Sequence, residues 1–166
     1  FLNDKNAITA DPGDANFVYA VWDRLQSPTG QTIKPELVFG IGFKGPSMFS
    51  RTTDGGATWE PARKIYDPGA TSQTIGNQVV VQPNGSLIDI FTEFNNENAK
   101  KHRGGFVRVL RSTDKGATWS GPYDIARLGT IGVTDPETGD DVRTGDIIPD
   151  IAVDAATCTG PNEKSF

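Results

Sequence analysis

The sequence predicts an all-β fold built from repeated four-stranded antiparallel units, and three observations lead to this prediction. The 166 residues include 19 glycines and 11 prolines, which fall between short apolar runs at intervals typical of turns. Apolar and polar residues alternate within these runs, as expected for half-buried strands. An eight-residue pattern also occurs twice, as TTDGGATW at 52–59 and STDKGATW at 112–119. Self-similarity of this kind indicates a repeat architecture.

The predicted strands follow one another between turn residues. Alternating patterns predict strands at 16–22, 77–82, 86–94, 106–112 and 146–154. The residues that end each octapeptide and follow it predict one further strand each, at 59–65 and 119–125. The segment 95–103 is the best helical candidate, but it has no apolar stripe to bury and is interpreted as an exposed connection. We therefore expect almost no helix.

The spacing of the repeats defines the size of one unit. Asp54 and Asp114, the aspartates of the two octapeptides, are 60 residues apart. Strand openings that run into a turn recur at 7–12, 79–84 and 151–156, and equating Asp11, Gln82 and Asp154 within them gives steps of 71 and 72 residues. The excess over 60 falls in the long loop 25–47. Four antiparallel strands that repeat at this period are typical of the blades of a β-propeller.

Each octapeptide suits the tip of a hairpin between the third and fourth strands of a unit. Its aspartate can accept hydrogen bonds from turn amides, the glycine two residues later can adopt positive φ, and its tryptophan supplies a large apolar group at the base. The hydroxyl groups can add hydrogen bonds to the same turn. The expected structural residues are Thr52, Asp54, Gly56, Thr58 and Trp59, and Ser112, Asp114, Gly116, Thr118 and Trp119.

With these two octapeptides at blade spacing, the chain resembles the Asp-box, or bacterial neuraminidase repeat, proteins, whose best-known members are sialidases with six-bladed propellers. The resemblance implies that the boxes are structural and lie on the outer rim, away from an active site. It implies a partial propeller over 1–166, with one blade at 1–70, a second at 71–130, and a loop and the first strand of a third at 131–166. Further blades or other copies of the chain are then needed for closure. The resemblance also implies a secreted or extracellular protein.

Composition disfavours several classes of partner. The net charge is −5 and the pI about 4.8, which removes the attraction that dominates nonspecific binding to nucleic acids and anionic lipids. No apolar run approaches the roughly 20 residues of a membrane-spanning helix. Cys158 is the only cysteine, so neither an internal disulfide nor a thiolate zinc cluster is expected. We expect no cofactor, no nucleic acid partner and no membrane partner.

The acidic segment 134–146 carries the oxygen ligands that calcium favours. Its spacing departs from the calcium-loop pattern, because Gly139 stands at a ligand position and no glutamate closes the loop. We interpret the segment as a solvated turn, and no metal site is predicted.

The resemblance implies an arginine triad for the substrate carboxylate, a tyrosine nucleophile paired with a glutamate, and an aspartate as acid and base. The first arginine belongs to an Arg-Ile-Pro motif that opens an inner strand. The corresponding segments here are 4–6, 75–77 and 147–149. Only Ile148 and Pro149 match the motif, and none of the segments carries the arginine. The loop 25–47, where the family has its acid/base aspartate, contains Glu36 and no aspartate. The catalytic set is therefore incomplete in this chain.

A better local match follows the second strand. Family members carry an Ala-x-Ala-Asp/Glu-x-Arg stretch there, and its arginine joins the substrate pocket; residues 20–24, AVWDR, are similar and one residue shorter. The counterpart in the second unit has Glu93 and no basic residue. We predict Asp23, Arg24 and Glu93 as catalytic candidates. Alternatively, Asp23 and Arg24 form an ordinary pair at the end of a strand.

Glycoside hydrolysis uses two carboxyls either about 5–5.5 Å or about 6.5–9.5 Å apart. The acids predicted near the axial mouth are Asp4, Asp23, Glu93, Asp146 and Asp150. Such acids alternatively cap turns and keep sheet edges soluble. His102, in the basic stretch NAKKHRGG, either rims the ligand mouth and attracts acidic glycans or belongs to a solvated loop. The substrate-binding candidates are Asp4, Lys5, His102 and Asp150, although the Asp4 carboxylate would repel an anionic sugar.

Two functions are therefore predicted, from different classes. The first is a part of a sialidase-like, glycan-directed propeller whose partner is a glycan or glycoconjugate. If the whole protein is an enzyme, this reading makes it an exo-glycosidase of the sialidase type, and the isolated chain is expected to be inactive. The alternative is a non-catalytic Asp-box propeller that serves as a secreted or cell-surface binding scaffold.

Overall fold

The computed structural model describes residues 1–26, 44–70, 72–95, 105–129, 133–142, 145 and 147–154. Within these residues the secondary structure consists of strands and turns, with no helix. No helix long and apolar enough to cross a membrane is therefore found in the described part of the chain.

Eight strands form two four-stranded antiparallel sheets. The first sheet contains β1 (Leu2–Ala10), β2 (Val18–Leu25), β3 (Ser47–Thr52) and β4 (Arg63–Tyr66). The second sheet contains β5 (Ser72–Val81), β6 (Leu87–Asn95), β7 (Gly105–Ser112) and β8 (Ser120–Leu128). In both sheets the order in space follows the order in the chain. The predicted all-β fold of two antiparallel meanders is confirmed.

Two further strands, β9 (Val133–Thr134) and β10 (Asp141–Val142), form a short hairpin. The strand predicted at 146–154 is corrected, because the described part of that segment, 147–154, forms no strand. It lies beside β5, where the Gln78 side-chain amide donates to the carbonyl of Pro149 at 3.0 Å. A strand requires pairing between backbone groups, and this contact comes from a side chain instead.

The first strands of the two sheets, β1 and β5, carry an irregularity at equivalent points. The pairing of β1 with β2 shifts between Asp4 and Ala7, and the pairing of β5 with β6 shifts between Ile75 and Gln78. At these points the residues Lys5 and Gly76 have φ of 53° and 72°, in the left-handed region that favours glycine. This equivalence agrees with the sequence alignment of 4–6 with 75–77.

The two sheets pack face to face around one apolar layer. The buried side chains of this layer are Tyr19, Val21 and Phe49 from the first sheet, and Val79, Val81 and Leu87 from the second. Burying each large apolar side chain contributes about 1.5–3 kcal/mol. Because side chains alternate along a strand, residues 19, 21 and 23 of β2 face the second sheet and residues 18, 20, 22 and 24 face away from it.

Polar contacts join the two sheets where β3 and β5 begin. The Ser47 hydroxyl is 2.7 Å from Asn77 Oδ1 and 3.1 Å from Thr74 Oγ1. Gly45 forms a parallel bridge with Gln73, and a Cβ at Gly45 would lie 2.4 Å from the Gln73 Cβ. The close backbone approach therefore requires glycine at position 45.

Candidate functional site

The antiparallel topology separates the octapeptides from the other predicted site residues. β1 and β5 begin, and β2 and β6 end, at one end of the sheets, which we call the mouth end. Both octapeptides connect strands at the opposite end. The predicted site residues at the mouth end are Asp4, Lys5, Asp23, Arg24 and Glu93.

Asp4 and Asp23 are cross-strand neighbours at the mouth end. Asp23 has no exposed surface, and among the residues that the structure describes no donor gives either carboxylate oxygen a hydrogen bond of ordinary geometry. Burial, followed by the negative charge of Asp4, raises the pKa of Asp23 to about 7. Lys5 Nζ lies 3.8 Å from Asp4 Oδ1 and offsets part of that negative charge. Asp23 therefore has the proton affinity of a general acid but no contact with solvent.

Arg24 lies on the opposite face of the first sheet from Asp23. Its Nε donates a hydrogen bond to Asn3 Oδ1 at 2.9 Å, and the indole N–H of Trp22 donates to the same oxygen at 3.1 Å. The guanidinium carbon of Arg24 lies 4.7 Å from the ring centroid of Phe1 and 5.9 Å from that of Trp22. Consecutive strand residues point to opposite faces, so Asp23 and Arg24 do not form the strand-end pair considered as an alternative.

Glu93 joins the two sheets. Its Oε2 accepts hydrogen bonds of 2.6 Å from both the Tyr66 hydroxyl and Arg108 NH1, and Arg108 Nε donates to Asp124 Oδ1 at 2.7 Å. Burial and then the hydrogen bond to Glu93 raise the pKa of Tyr66 to about 12. The Glu93 carboxylate is thus engaged by β4 of one sheet and β7 of the other.

Sequence reasoning missed Tyr66 and Arg108 as partners of Glu93. They lie 27 and 15 residues from it in the chain, and no local motif links the three positions. Alternation along β7 indicates only which face Arg108 occupies. The contact with Tyr66 depends on how the two sheets pack.

Asp150 is exposed, and its Oδ1 accepts a hydrogen bond from the amide of Ile151 at 2.9 Å, a local contact of the capping kind. The remaining predicted mouth residues, Glu36, His102 and Asp146, lie outside the described residues.

In the acidic segment 134–146, Asp135 Oδ1 accepts hydrogen bonds from the amides of Glu137 and Thr138 at 2.7 and 3.1 Å. This is the geometry of a turn. In the portions of the chain that the structure describes, no group of three or more histidine, cysteine, aspartate or glutamate side chains could hold a metal ion.

Two open concavities border the mouth end. One, of about 480 Å³, runs between β1 and β5 and is lined in part by Lys5, Gln78 and Ile148. The other, of about 380 Å³, lies on the face of the first sheet that carries Arg24, and Asn3 and Trp22 belong to its lining. The Arg24 cluster, which we define as Phe1, Asn3, Trp22 and Arg24, therefore stands at the edge of a concave surface.

The two octapeptide turns are closed by the same set of internal hydrogen bonds. In each turn, the aspartate Oδ1 accepts a hydrogen bond of 2.7 Å from the hydroxyl of the first residue, Thr52 or Ser112. It also accepts one of 2.9 Å from the backbone amide of Thr58 or Thr118, and Oδ2 accepts one of 2.6 Å from the hydroxyl of that same threonine. These hydrogen bonds lower the pKa of Asp54 and of Asp114 to about 2, and the bond from the threonine hydroxyl has the largest effect. The glycines Gly56 and Gly116 have φ of 97° and 83°.

No family model and no curated protein matches the sequence. Among solved structures, the chain is similar to one described as Hadza microbial sialidase Hz136, with a TM-score of 0.51 and 17% sequence identity over 74% of this chain. At this identity the similarity shows the fold, and the molecule therefore has a sialidase-like β-propeller fold in which each four-stranded sheet is a blade. The match spans 25% of the sialidase chain, so the described sheets are part of a propeller.

Proposed function

We propose that the chain is part of a glycan-directed propeller of sialidase-like fold, and that its own residues contribute to ligand binding instead of bond cleavage. The observation that supports this most is the Arg24 cluster beside the concave surface at the mouth end. Ligand sites commonly combine apolar or aromatic walls with a few polar groups that orient the ligand. A guanidinium held against aromatic rings provides both, with planar donors suited to a carboxylate.

The position of the acids supports an acidic glycan as the ligand. Asp4 pairs with Asp23 on the face that packs toward the second sheet, whereas Arg24 pairs with Asn3 on the other face. The repulsion expected from Asp4 is therefore directed away from Arg24, and Lys5 weakens it further. We infer a carboxylate-bearing sugar as the ligand class for the Arg24 cluster.

The same geometry disfavours a catalytic role for the acids of this chain. A general acid must come within hydrogen-bond distance of the group that it protonates, and Asp23 has no exposed surface. Glu93 is held by Tyr66 and Arg108. If the whole protein is an exo-glycosidase of the sialidase type, we expect its reacting groups on other blades and its location to be extracellular.

Glycan binding is tested by calorimetric titration of this chain with a panel of acidic and neutral oligosaccharides. We expect binding of acidic members, with quenching of Trp22 fluorescence because its indole contacts the Arg24 guanidinium. Arg24→Ala should weaken binding about tenfold or more, equivalent to about 1.4 kcal/mol. Arg127→Ala, at an exposed arginine of β8, is the matched control and should leave the affinity unchanged. Absence of binding across the panel, or equal affinities for Arg24→Ala and the unmodified chain, would contradict the proposal.

A non-catalytic binding scaffold is the second candidate, and the use of Glu93 to join the two sheets favours it. The test is turnover of sialosides and neutral glycosides by this chain and by any longer polypeptide that contains it. Turnover that disappears on Arg24→Ala would exclude the scaffold, and binding without turnover would support it.

A further inference from the structure

The Arg24 cluster holds its guanidinium group in one orientation. Asn3 on β1 and Arg24 on β2 lie directly opposite each other in the sheet. Asn3 Oδ1 accepts hydrogen bonds from Arg24 Nε at 2.9 Å and from the indole N–H of Trp22 at 3.1 Å. Because the Trp22 indole binds the same oxygen, a second donor orients the Asn3 amide together with Arg24. Asn3 therefore positions the guanidinium group.

The hydrogen bond at Nε determines how the guanidinium group can bind a carboxylate. An arginine can donate to the two oxygens of a carboxylate either from Nε and one terminal nitrogen or from both terminal nitrogens. Asn3 occupies Nε, and the ring centroids of Phe1 and Trp22 lie 4.7 and 5.9 Å from the guanidinium carbon. A carboxylate that binds Arg24 through both of its oxygens must therefore use the two terminal nitrogens.

The same arrangement binds a carboxylate elsewhere in the chain. Arg108 on β7 lies opposite Asp124 on β8, and its Nε donates to Asp124 Oδ1 at 2.7 Å. The guanidinium carbon of Arg108 lies 5.1 Å from the ring centroid of Phe106, two residues earlier on the same strand. With Nε held in this way, the terminal nitrogen NH1 donates to Glu93 Oε2 at 2.6 Å. A cross-strand acceptor at Nε and a ring two residues earlier thus present a terminal nitrogen to a carboxylate.

Arg24 and Arg108 differ in the charge of the residue that holds Nε. Arg24 has the same spacing, with Trp22 two residues earlier and Asn3 across the strand pair. Asp124 is an anion and offsets part of the charge of Arg108. The Asn3 amide is neutral and orients Arg24 without offsetting its charge. The attraction of Arg24 for an anionic ligand is therefore larger than it would be with an aspartate at position 3.

We propose that Asn3 determines the ligand specificity of the Arg24 cluster. By holding Nε with a neutral amide, Asn3 presents both terminal nitrogens of a fully charged Arg24 to the two oxygens of an ionised sugar carboxylate. This inference rests on the proposed function, because it names the residue that makes that site selective for a free acid. The methyl ester of the same sugar carries no charge and should bind much more weakly.

Calorimetric titration measures this selectivity with sialyllactose, with an oligosaccharide that ends in glucuronic acid, and with the carboxyl methyl ester of each. We expect the unmodified chain to bind at least one acid about tenfold or more tightly than its ester, and the two acids show which class of acidic sugar the site takes. Asn3→Ala should weaken binding of that acid about fivefold to tenfold, because the guanidinium group loses its orientation, and should leave binding of the ester unchanged.

Asn3→Asp separates the charge from the orientation. The aspartate retains an oxygen acceptor for Nε, but its carboxylate offsets the charge of Arg24, so the variant should also bind the acid more weakly and the ester equally well. Asp124→Asn is the matched control, because it makes the reverse exchange at Arg108, and it should leave both affinities unchanged. Circular dichroism shows whether each variant folds, and Asn3→Ser replaces Asn3→Ala if the latter does not fold.

Arg24→Lys shows whether Asn3 acts through the arginine. Lysine carries a compact charge with no planar group to orient. Adding Asn3→Ala to Arg24→Lys should therefore change the affinity for the acid less than about twofold.

Failure of this inference differs from failure of the proposed function. If the unmodified chain binds neither acid, the proposed function is contradicted and the role of Asn3 is overturned with it. If an acid binds and Arg24→Ala weakens its binding, but Asn3→Ala and Asn3→Asp bind it like the unmodified chain, only the role of Asn3 is overturned. Equal affinities for acid and ester, or an undiminished loss on adding Asn3→Ala to Arg24→Lys, would likewise overturn that role.

Discussion

The two octapeptide turns have the same internal structure and different surroundings. Their equivalent carboxylate hydrogen bonds have identical lengths of 2.7, 2.9 and 2.6 Å. Trp119, however, packs against Phe49, whereas Trp59 is 42% exposed. The turn is therefore a local structure that eight residues determine, and the burial of its tryptophan is supplied by whichever sheet lies beside it.

The largest effect should come from removing the ring that receives the second turn. Phe49 is fully buried and contacts Tyr19, Trp119 and Arg63, so Phe49→Ala should destabilise the chain by about 3–5 kcal/mol. Trp59→Ala, at a side chain that is 42% exposed, should cost about 1 kcal/mol or less. Urea denaturation of dilute protein measures both. Equal losses of stability in the two variants would contradict the difference in surroundings between the two turns.

Asp23 contrasts with the turn aspartates because packing, not a local hydrogen bond, sets its pKa. The pKa is about 7 in the folded chain and about 3.9 in an unfolded one, so the folded state binds more protons between these values. The free energy of unfolding should therefore decrease as the pH rises from about 4 to about 7, by up to about 4 kcal/mol.

Asp23→Asn should flatten this part of the pH profile, which denaturation at pH 5 and pH 8 measures. Exposed Asp150→Asn is the control and should leave the profile unchanged. If the slope persists in Asp23→Asn, another group causes the pH dependence. Asp89 is the first candidate, because this residue is fully buried and burial also raises its pKa.

The turn glycines test the same difference between the two turns through one added Cβ atom. Alanine at either Gly56 or Gly116 must adopt positive φ, at a cost of about 1 kcal/mol. At Gly116 the added Cβ also meets Phe49 at 2.5 Å, whereas at Gly56 it meets nothing within 4 Å. Gly116→Ala should therefore be more destabilising than Gly56→Ala by about 1–3 kcal/mol. Equal melting temperatures for the two variants would contradict the docked position of the second turn.

The smallest effect should be the acid sensitivity of the turns. The pKa values of Asp54 and Asp114 are lowered to about 2, so the stability that they contribute is present above about pH 4 and is lost as the pH falls toward 2. Asp54→Asn and Asp114→Asn should reduce this loss to a similar extent, since the local bonds are the same. Acid titration monitored by tryptophan fluorescence measures this loss of stability. A large difference between the two variants would show that contacts outside the turns also set the acid sensitivity.

The sequence alone was sufficient for the elements that depend on near neighbours. Alternation located β2, β6, β7 and the second half of β5, and the residues after each octapeptide indicated β4 and β8, whereas alternation predicted no range for β1 or β3. The alignment of 4–6 with 75–77 agrees with the observed positions of the irregularities at Lys5 and Gly76. The strand predicted at 146–154 did not form in its described part, because alternation indicates that a segment can pair and does not supply a partner. The predicted site residues at the mouth end were brought to the same end of the sheets but not to one surface.

The local features of this protein were thus determined by the sequence itself: the hydrogen bonds of each turn span at most four residues, and the strand faces follow from alternation. Only the tertiary structure decided that Glu93 binds Tyr66, 27 residues away, and that Arg51 binds the turn at Lys115, 64 residues away. The physical reason is that a contact across such separations depends on the packing of two sheets. That packing also buries the Asp23 carboxyl and leaves Trp59 exposed.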